Sequence, residues 1–308
     1  MKTRYYKPLS SLVIVTIFII TLGTDLFAQE VRKPITIKSE ESAAFQLKYG
    51  VGLSTRYLWR GLDQAKSPAL QPYAEGRFYG LELSLYGVFG LFENAAKHPD
   101  FVRPQNPQDF SPIYLDKIAF NEIMTNLFYH INTNFGSFRL GVTEYYFSDG
   151  LVKKPSFKTD SLGNATDTSY TYPPSTWLNW DDNGTGAHTI EASLRFDGNK
   201  SFPIWFLLAT NIYNDPDKSI YVEAGYLLNV LRNKFIFSLG SAIGASSWYQ
   251  YNFKNGKFRG DLSTNFSLTF SREIYLSDWL TVDFALTDVV GFYEERNTIL
   301  FKTTVKIE

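Results

Sequence analysis

From residue 45 onward, apolar and polar side chains alternate with a period of two. Phe45, Leu47, Tyr49, Val51, Leu53, Thr55, Tyr57 and Trp59 occupy one parity, while Gln46, Lys48, Gly50, Gly52, Ser54, Arg56, Leu58 and Arg60 occupy the other. Successive side chains of a strand point to opposite faces, so this pattern predicts a strand with one greasy and one polar face. Soluble strands average about 5 to 6 residues; a run over residues 45–60 is better suited to a tilted membrane strand, which needs about 9 to 11 and often projects beyond the bilayer. The pattern recurs in Leu81, Leu83, Leu85 and Phe89 against Glu82, Ser84 and Tyr86, and in Leu262, Thr264, Phe266, Leu268 and Phe270 against Ser263, Asn265, Ser267 and Thr269.

Twelve strands are expected in all: 45–60, 69–78, 81–89, 117–131, 137–148, 187–197, 202–213, 219–228, 234–248, 260–270, 279–288 and 297–307. The segments 69–78 and 202–213 alternate poorly, and their assignment rests partly on spacing. Alternate connectors sort by length. Tyr79-Gly80, 132–136, 198–201, 229–233 and 271–278 are short; 61–68, 93–116, 149–186, 249–259 and 289–296 are long, with 214–218 the one short member of that set. Transmembrane barrels have short periplasmic turns and longer outside loops. The expected fold is therefore all-β, an antiparallel up-and-down transmembrane barrel of about 12 strands spanning residues 45–308. A soluble sandwich has no reason for such asymmetry and would need a second sheet to cover so continuous an apolar face. Aromatic side chains fall near the predicted strand ends, as interfacial belts do: Tyr57, Trp59, Tyr146, Phe147, Trp248 and Tyr249 outside, and Phe78, Tyr129, Phe196, Phe235, Phe270 and Trp279 toward the periplasm.

The first residues add location. Lys2, Arg4 and Lys7 precede the apolar run Leu12–Leu22, and Ala28-Gln29 forms a plausible cleavage junction, the layout of a secretory signal peptide over residues 1–28. The run is too short for a membrane anchor that stays in place. Residues 29–44 read as a periplasmic tail. No Cys occurs anywhere, which removes disulfides, thiolate metal sites, Cys nucleophiles and lipidation of a processed N-terminus. Lys+Arg 30 against Asp+Glu 31 argues against nucleic acid as a partner. A mean hydropathy of -0.18 speaks against a helical membrane bundle. The 149–186 segment, rich in Pro, Gly, Ser, Thr and Asn, has loop composition. Its sequons at Asn164 and Asn183 are read as chance for a bacterial surface.

One segment carries a family likeness. Tyr57-Leu58-Trp59-Arg60-Gly61-Leu62-Asp63-Gln64, then Pro68-Ala69-Leu70-Gln71 and Gly80-Leu81-Glu82, resembles the N-terminal signature of the TorF-like family of bacterial outer-membrane β-barrel proteins, which has no assigned function. The resemblance covers roughly residues 50–90. Trp59 stands where that family usually has Phe, and Ile307-Glu308 lacks the terminal aromatic common in bacterial barrels. The resemblance implies fold and an outer-membrane location, and it names no substrate. On its own terms, Gly61 permits a turn out of the strand and Arg60 is positioned to meet a loop carboxylate such as Asp63, or else a ligand.

Parity places Lys48, Arg56, Arg60, Lys302 and Lys306 on the lumen face of the first and last strands, and Glu122, Glu191 and Glu223 on that of strands four, six and eight. A basic wall facing an acidic one would set a transverse field across a narrow passage for small polar solutes. The other readings are a packed, non-conducting barrel whose outer loops bind a partner, and an outer-membrane lipid hydrolase. Only His98, His130 and His188 exist. His188 on the lipid-facing parity near Ser148 makes a minimal Ser–His pair, without any hydrolase signature. The chain is thus expected not to be an enzyme and to need no cofactor or metal. Its expected partners are membrane lipid, small polar solutes and, during biogenesis, the barrel-assembly machinery; no oligomeric state is readable.

Overall fold

The computed structural model describes residues 45–65, 67–92, 121–147, 154–159, 165–171, 176–182, 187–215, 217–230, 233–243, 253–254, 257–258, 264–291 and 296–307. The expected signal peptide (1–28), the expected 29–44 tail, His98, Ser148, Trp248 and Tyr249 lie outside them.

Strand β1 (Gln46–Ser54) is followed by a small hairpin, β2 (Tyr57–Trp59) and β3 (Leu62–Ala65), and then by β4 (Ala69–Phe78), β5 (Leu81–Gly90), β6 (Asn121–Thr133) and β7 (Gly136–Phe147). A second ribbon, β8 (Lys154–Thr159) and β9 (Ala165–Thr171), lies in the long segment expected to be loop. Then come β10 (His188–Gly198), β11 (Ile204–Tyr213), β12 (Ile220–Val230), β13 (Asn233–Ile243), a short ribbon β14 (Phe253–Lys254) and β15 (Lys257–Phe258), β16 (Thr264–Tyr275), β17 (Leu280–Gly291) and β18 (Arg296–Ile307). Twelve of these close into one antiparallel barrel in the order β1-β18-β17-β16-β13-β12-β11-β10-β7-β6-β5-β4, so chain order and wall order coincide and β1 seals against β18. The expected strand set and the division into short-turn and long-connector ends both hold. On β4 the ladder to β5 is interrupted at Gln71 and Pro72, the latter having no N–H to give, and resumes in the same register, Leu70↔Phe89 before the gap and Tyr73↔Tyr86 after it.

Polarity runs inside out. Leu47, Val51, Leu53, Leu81, Leu83, Leu85, Leu127, Leu194, Leu208, Leu239, Ile299 and Phe301 are exposed on the outer wall, whereas Glu82, Glu191, Asn126, Ser84 and Thr143 are buried. So much exposed apolar surface exceeds what a soluble monomer presents. Phe78, Tyr129 and Trp279 stand exposed near the short-turn end, as the belt pattern predicts.

Several boundaries differ from the sequence reading: β16 runs on to Tyr275 and β6 to Thr133, and the largest difference is at the first strand. The first strand does not run to Arg60 but ends at Ser54. Thr55 makes the last ladder contacts, with its N–H on the Phe301 carbonyl and its Oγ1 accepting from the Phe301 N–H, and the chain bends at Thr55-Arg56. The alternation continues past the bend because residues 57–65 form a second sheet that faces a different interior.

Candidate functional site

The β2–β3 hairpin turns into the barrel. Leu62 at its tip packs with Tyr221 of β12 and Ala242 of β13, joined by Trp59, Phe147 of β7 and Leu207 of β11. Ala65 and Ala69 pack with Val88 of β5, joined by Tyr57 and Met124 of β6. A segment that stayed at the rim could not touch inward-facing side chains from β5 round to β13. Tyr57, Trp59 and Phe147, expected in an outer aromatic belt, are therefore lumen residues: each is the apolar lining that lets the hairpin bury itself. Tyr146 keeps its outward parity.

The turn is formed by Arg60 and Gly61, with φ of 51° and 81°, between paired Trp59 and Leu62. Two successive left-handed residues define the primed turn whose twist suits a two-residue hairpin. Gly61 meets that demand without strain, whereas Arg60 does not, at a cost of about 1–2 kcal/mol. Contacts across the lumen offset that cost. The Asn265 amide of β16 donates to the Arg60 carbonyl at 2.8 Å and to the Tyr221 hydroxyl at 3.1 Å. Both terminal guanidinium nitrogens of Arg60 donate to Glu191 of β10, at 2.6 and 2.7 Å. Tyr145 of β7 donates to the same carboxylate at 3.3 Å. The guanidinium carbon lies 4.6 Å from the Trp59 ring centre and 4.5 Å from that of Tyr221. Trp59 in turn meets Tyr145 edge-on at 5.8 Å.

Arg60 and Glu191 are thus brought together, and the loop carboxylate expected as partner for Arg60 is replaced by one on the opposite wall. A fork-to-fork pair with only 3% of the carboxylate side chain accessible is strong only because every oxygen has a donor. Glu122 hydrogen-bonds Tyr57 of the hairpin, whose phenol burial holds well above its ordinary pKa, and Glu223 hydrogen-bonds Tyr221. All three predicted acids therefore sit around the hairpin. Arg56 is half-buried in the bend above β1. Lys302 belongs to a separate group, donating to Gln71 at 2.5 Å while Gln71 donates to Ser54 at 2.7 Å.

At the short-turn end, charges pair along single strands and across nearby ones. Glu82 of β5 meets Arg77 at 3.0 Å, His130 at 2.7 Å and Arg139 at 4.0 Å, and Glu75 meets Arg77 at 2.8 Å. Arg195 pairs with Asp197 at 2.7 Å. On the other side of the ring, Glu273 holds Lys306 at 2.8 Å and Lys234 at 3.1 Å, with Asp283 at 3.6 Å from Lys306. Lys306, placed by parity on the basic side, lies among acids on that same side, because a charge in a narrow lumen is stabilised most by the nearest opposite charge.

His188 has the outward parity expected, yet it is covered. Residues 176–182 lie over it: Trp180 stacks at 3.8 Å and the Trp177 carbonyl faces Nε2 at 2.7 Å, while Glu144 faces Nδ1 at 2.7 Å. Asn214 fixes the strap by donating to the His188 carbonyl at 2.6 Å and, through its N–H, to Asp182 at 3.0 Å; Tyr213 donates to the Trp180 carbonyl. Both imidazole nitrogens are engaged, one by the strap and one by the wall. Two Trp residues three apart in a polar loop were the visible signal for this strap. For Tyr221 and Asn265 the signal was parity alone.

No family model and no curated protein matches the chain. Among solved structures it is similar to an outer-membrane channel from Pseudomonas putida F1 (12% identity, TM-score 0.42, covering 90% of this chain and 99% of that one). It is also similar to the translocator domain of the autotransporter NalP from Neisseria meningitidis (5%, 0.38, 100% and 100%) and to the toluene transporter TodX from P. putida (9%, 0.36, 86% and 89%). At these values a neighbour's activity does not bear on this chain.

Proposed function

We propose that this chain is exported, spans a bacterial outer membrane with its long connectors outside, and serves as a narrow passage for small polar solutes that the β2–β3 hairpin holds shut at the outer mouth. The exposed apolar wall supports the membrane setting, since only a closed barrel satisfies every backbone group of a sheet in lipid. The observation that carries the gating is the seating of Leu62 and Ala65 in buried clusters inside the lumen, with Arg60 clamped to Glu191. Below the hairpin the lumen face is polar: Ser84, Asn126 and Thr143 form a hydrogen-bonded row, as do Ser238 with Ser267 and Thr269 with Thr287. Such a lining suits hydrated solutes. The reading includes no catalytic step. It extends to membership of the TorF-like family, whose signature here falls on the residues that build the hairpin.

Bilayer conductance of the refolded mature barrel tests this. Wild type is expected to give small or brief currents, and a variant with residues 57–65 replaced by a short Gly-Ser link is expected to give larger, sustained ones. Silence from both would support the non-conducting barrel that binds through its outer loops.

A further inference from the structure

The seat of Arg60 has the composition of a receptor for a planar cation. Glu191 presents both oxygens to a fork of donors, Tyr221 supplies a ring face, and Tyr145 orients the carboxylate. Asn265 and Glu223 fix the Tyr221 hydroxyl. Of these groups only Trp59 and Arg60 belong to the hairpin. When the hairpin withdraws, the wall keeps a carboxylate that is 2% exposed in the seated state and loses its only ion-pair partner among the described contacts. That carboxylate is then open to another cation, and the fork geometry together with the flat aromatic face favours guanidinium over a compact ammonium ion.

We propose that this lumen site binds guanidinium-bearing solutes, with Arg60 as its built-in occupant, so that such a solute competes with the hairpin for Glu191 and favours the open state. The inference deepens the gated-passage reading by naming the ligand class at the gate. Because binding and hairpin release are linked, a ligand that binds only the vacated seat shifts the equilibrium by the factor 1 + [L]/Kd. For a small cation held by one bidentate pair and one ring, Kd of roughly millimolar is expected.

The test does not depend on conduction. The chain has no Cys, so Ala65→Cys provides a unique thiol at a fully buried position of the hairpin. Its maleimide labelling in detergent-folded barrel is measured against methylguanidinium, methylammonium and sodium chloride at equal ionic strength. Labelling is expected to accelerate about tenfold at ~10 mM methylguanidinium, and the two control salts are expected to leave it unchanged. The same acceleration must vanish in Ala65→Cys/Glu191→Gln. Equal labelling in all three salts, or acceleration that survives Glu191→Gln, overturns the site. If Ala65→Cys does not fold, the melting of Arg60→Ala serves instead: methylguanidinium should restore it toward wild type through Glu191, and failure to do so overturns the proposal. A barrel that labels as expected yet stays electrically silent keeps the site and removes the passage.

Discussion

A single methyl group at the hairpin tip tests whether the hairpin is seated where described. In Gly61→Ala, an added Cβ would lie 2.5 Å from Asn265 Cβ and 2.9 Å from its Cγ. The nearest atom is a Cβ, so no rotamer change at Asn265 relieves the overlap, and the turn or β16 must shift. Forcing a methyl into a packed site costs about 1–3 kcal/mol. The left-handed φ of 81° adds about 1–2 kcal/mol for Ala, but that strain persists as long as the two-residue turn exists, seated or not. Only the overlap separates the two states. At about 1.4 kcal/mol per decade, the withdrawn population should rise roughly 5- to 150-fold. Trypsin reads this directly, because the bond after Arg60 is accessible only when the hairpin leaves the lumen, and cleavage tracks the open population when reclosing is fast. Gly80→Ala is the control: Gly80 has the same φ of 81° in the Tyr79-Gly80 turn at the other end of the barrel. It should lower the melting temperature without accelerating the cut at Arg60. Equal cleavage rates in wild type, Gly61→Ala and Gly80→Ala would refute the seated hairpin.

Three further outcomes follow from the same contacts. Tyr221→Phe keeps the ring over Arg60 but removes the hydroxyl that joins the wall residues Asn265 and Glu223; a loss of about 1–2 kcal/mol should lower the melting temperature, while cleavage at Arg60 stays near the wild-type rate because those contacts do not involve the hairpin. Glu82→Gln leaves Arg77 and Arg139 without their shared carboxylate, so the reversal potential in a salt gradient should move toward anion preference, by more in low salt than in high. His188→Ala removes the stacking surface of Trp180 and the contact to the Trp177 carbonyl. Exchange of the Ala187 amide, which bonds the Asn179 carbonyl, should accelerate about tenfold or more, while cleavage at Arg60 stays at the wild-type rate.

Nearly all of the barrel was legible in the chain, because a strand read by one face at a time carries its geometry in its own period. Leu47 to Leu53 outside and Glu82, Glu122 and Glu191 inside required only parity and a count of strands, and alternating connector lengths fixed the two ends. What the alternation could not disclose was that Tyr57 and Trp59 continue it on a different sheet. Period two is identical for a strand in the wall and for a hairpin inside it, so nothing local distinguishes an apolar residue facing lipid from one facing Tyr221 and Ala242. The partner of Arg60 was equally out of reach: Glu191 is 131 positions away, and which carboxylate meets a guanidinium is decided by the curvature of the closed wall. The covering of His188 was hidden for the same reason, since its parity was readable but the strap that returns over it was not. The sequence by itself determined a barrel, its wall strands and, by parity, the side most wall residues face. Only tertiary closure decided that one hairpin folds inward and that its arginine fills a site on the far wall, because those contacts join surfaces that only the completed ring brings opposite each other.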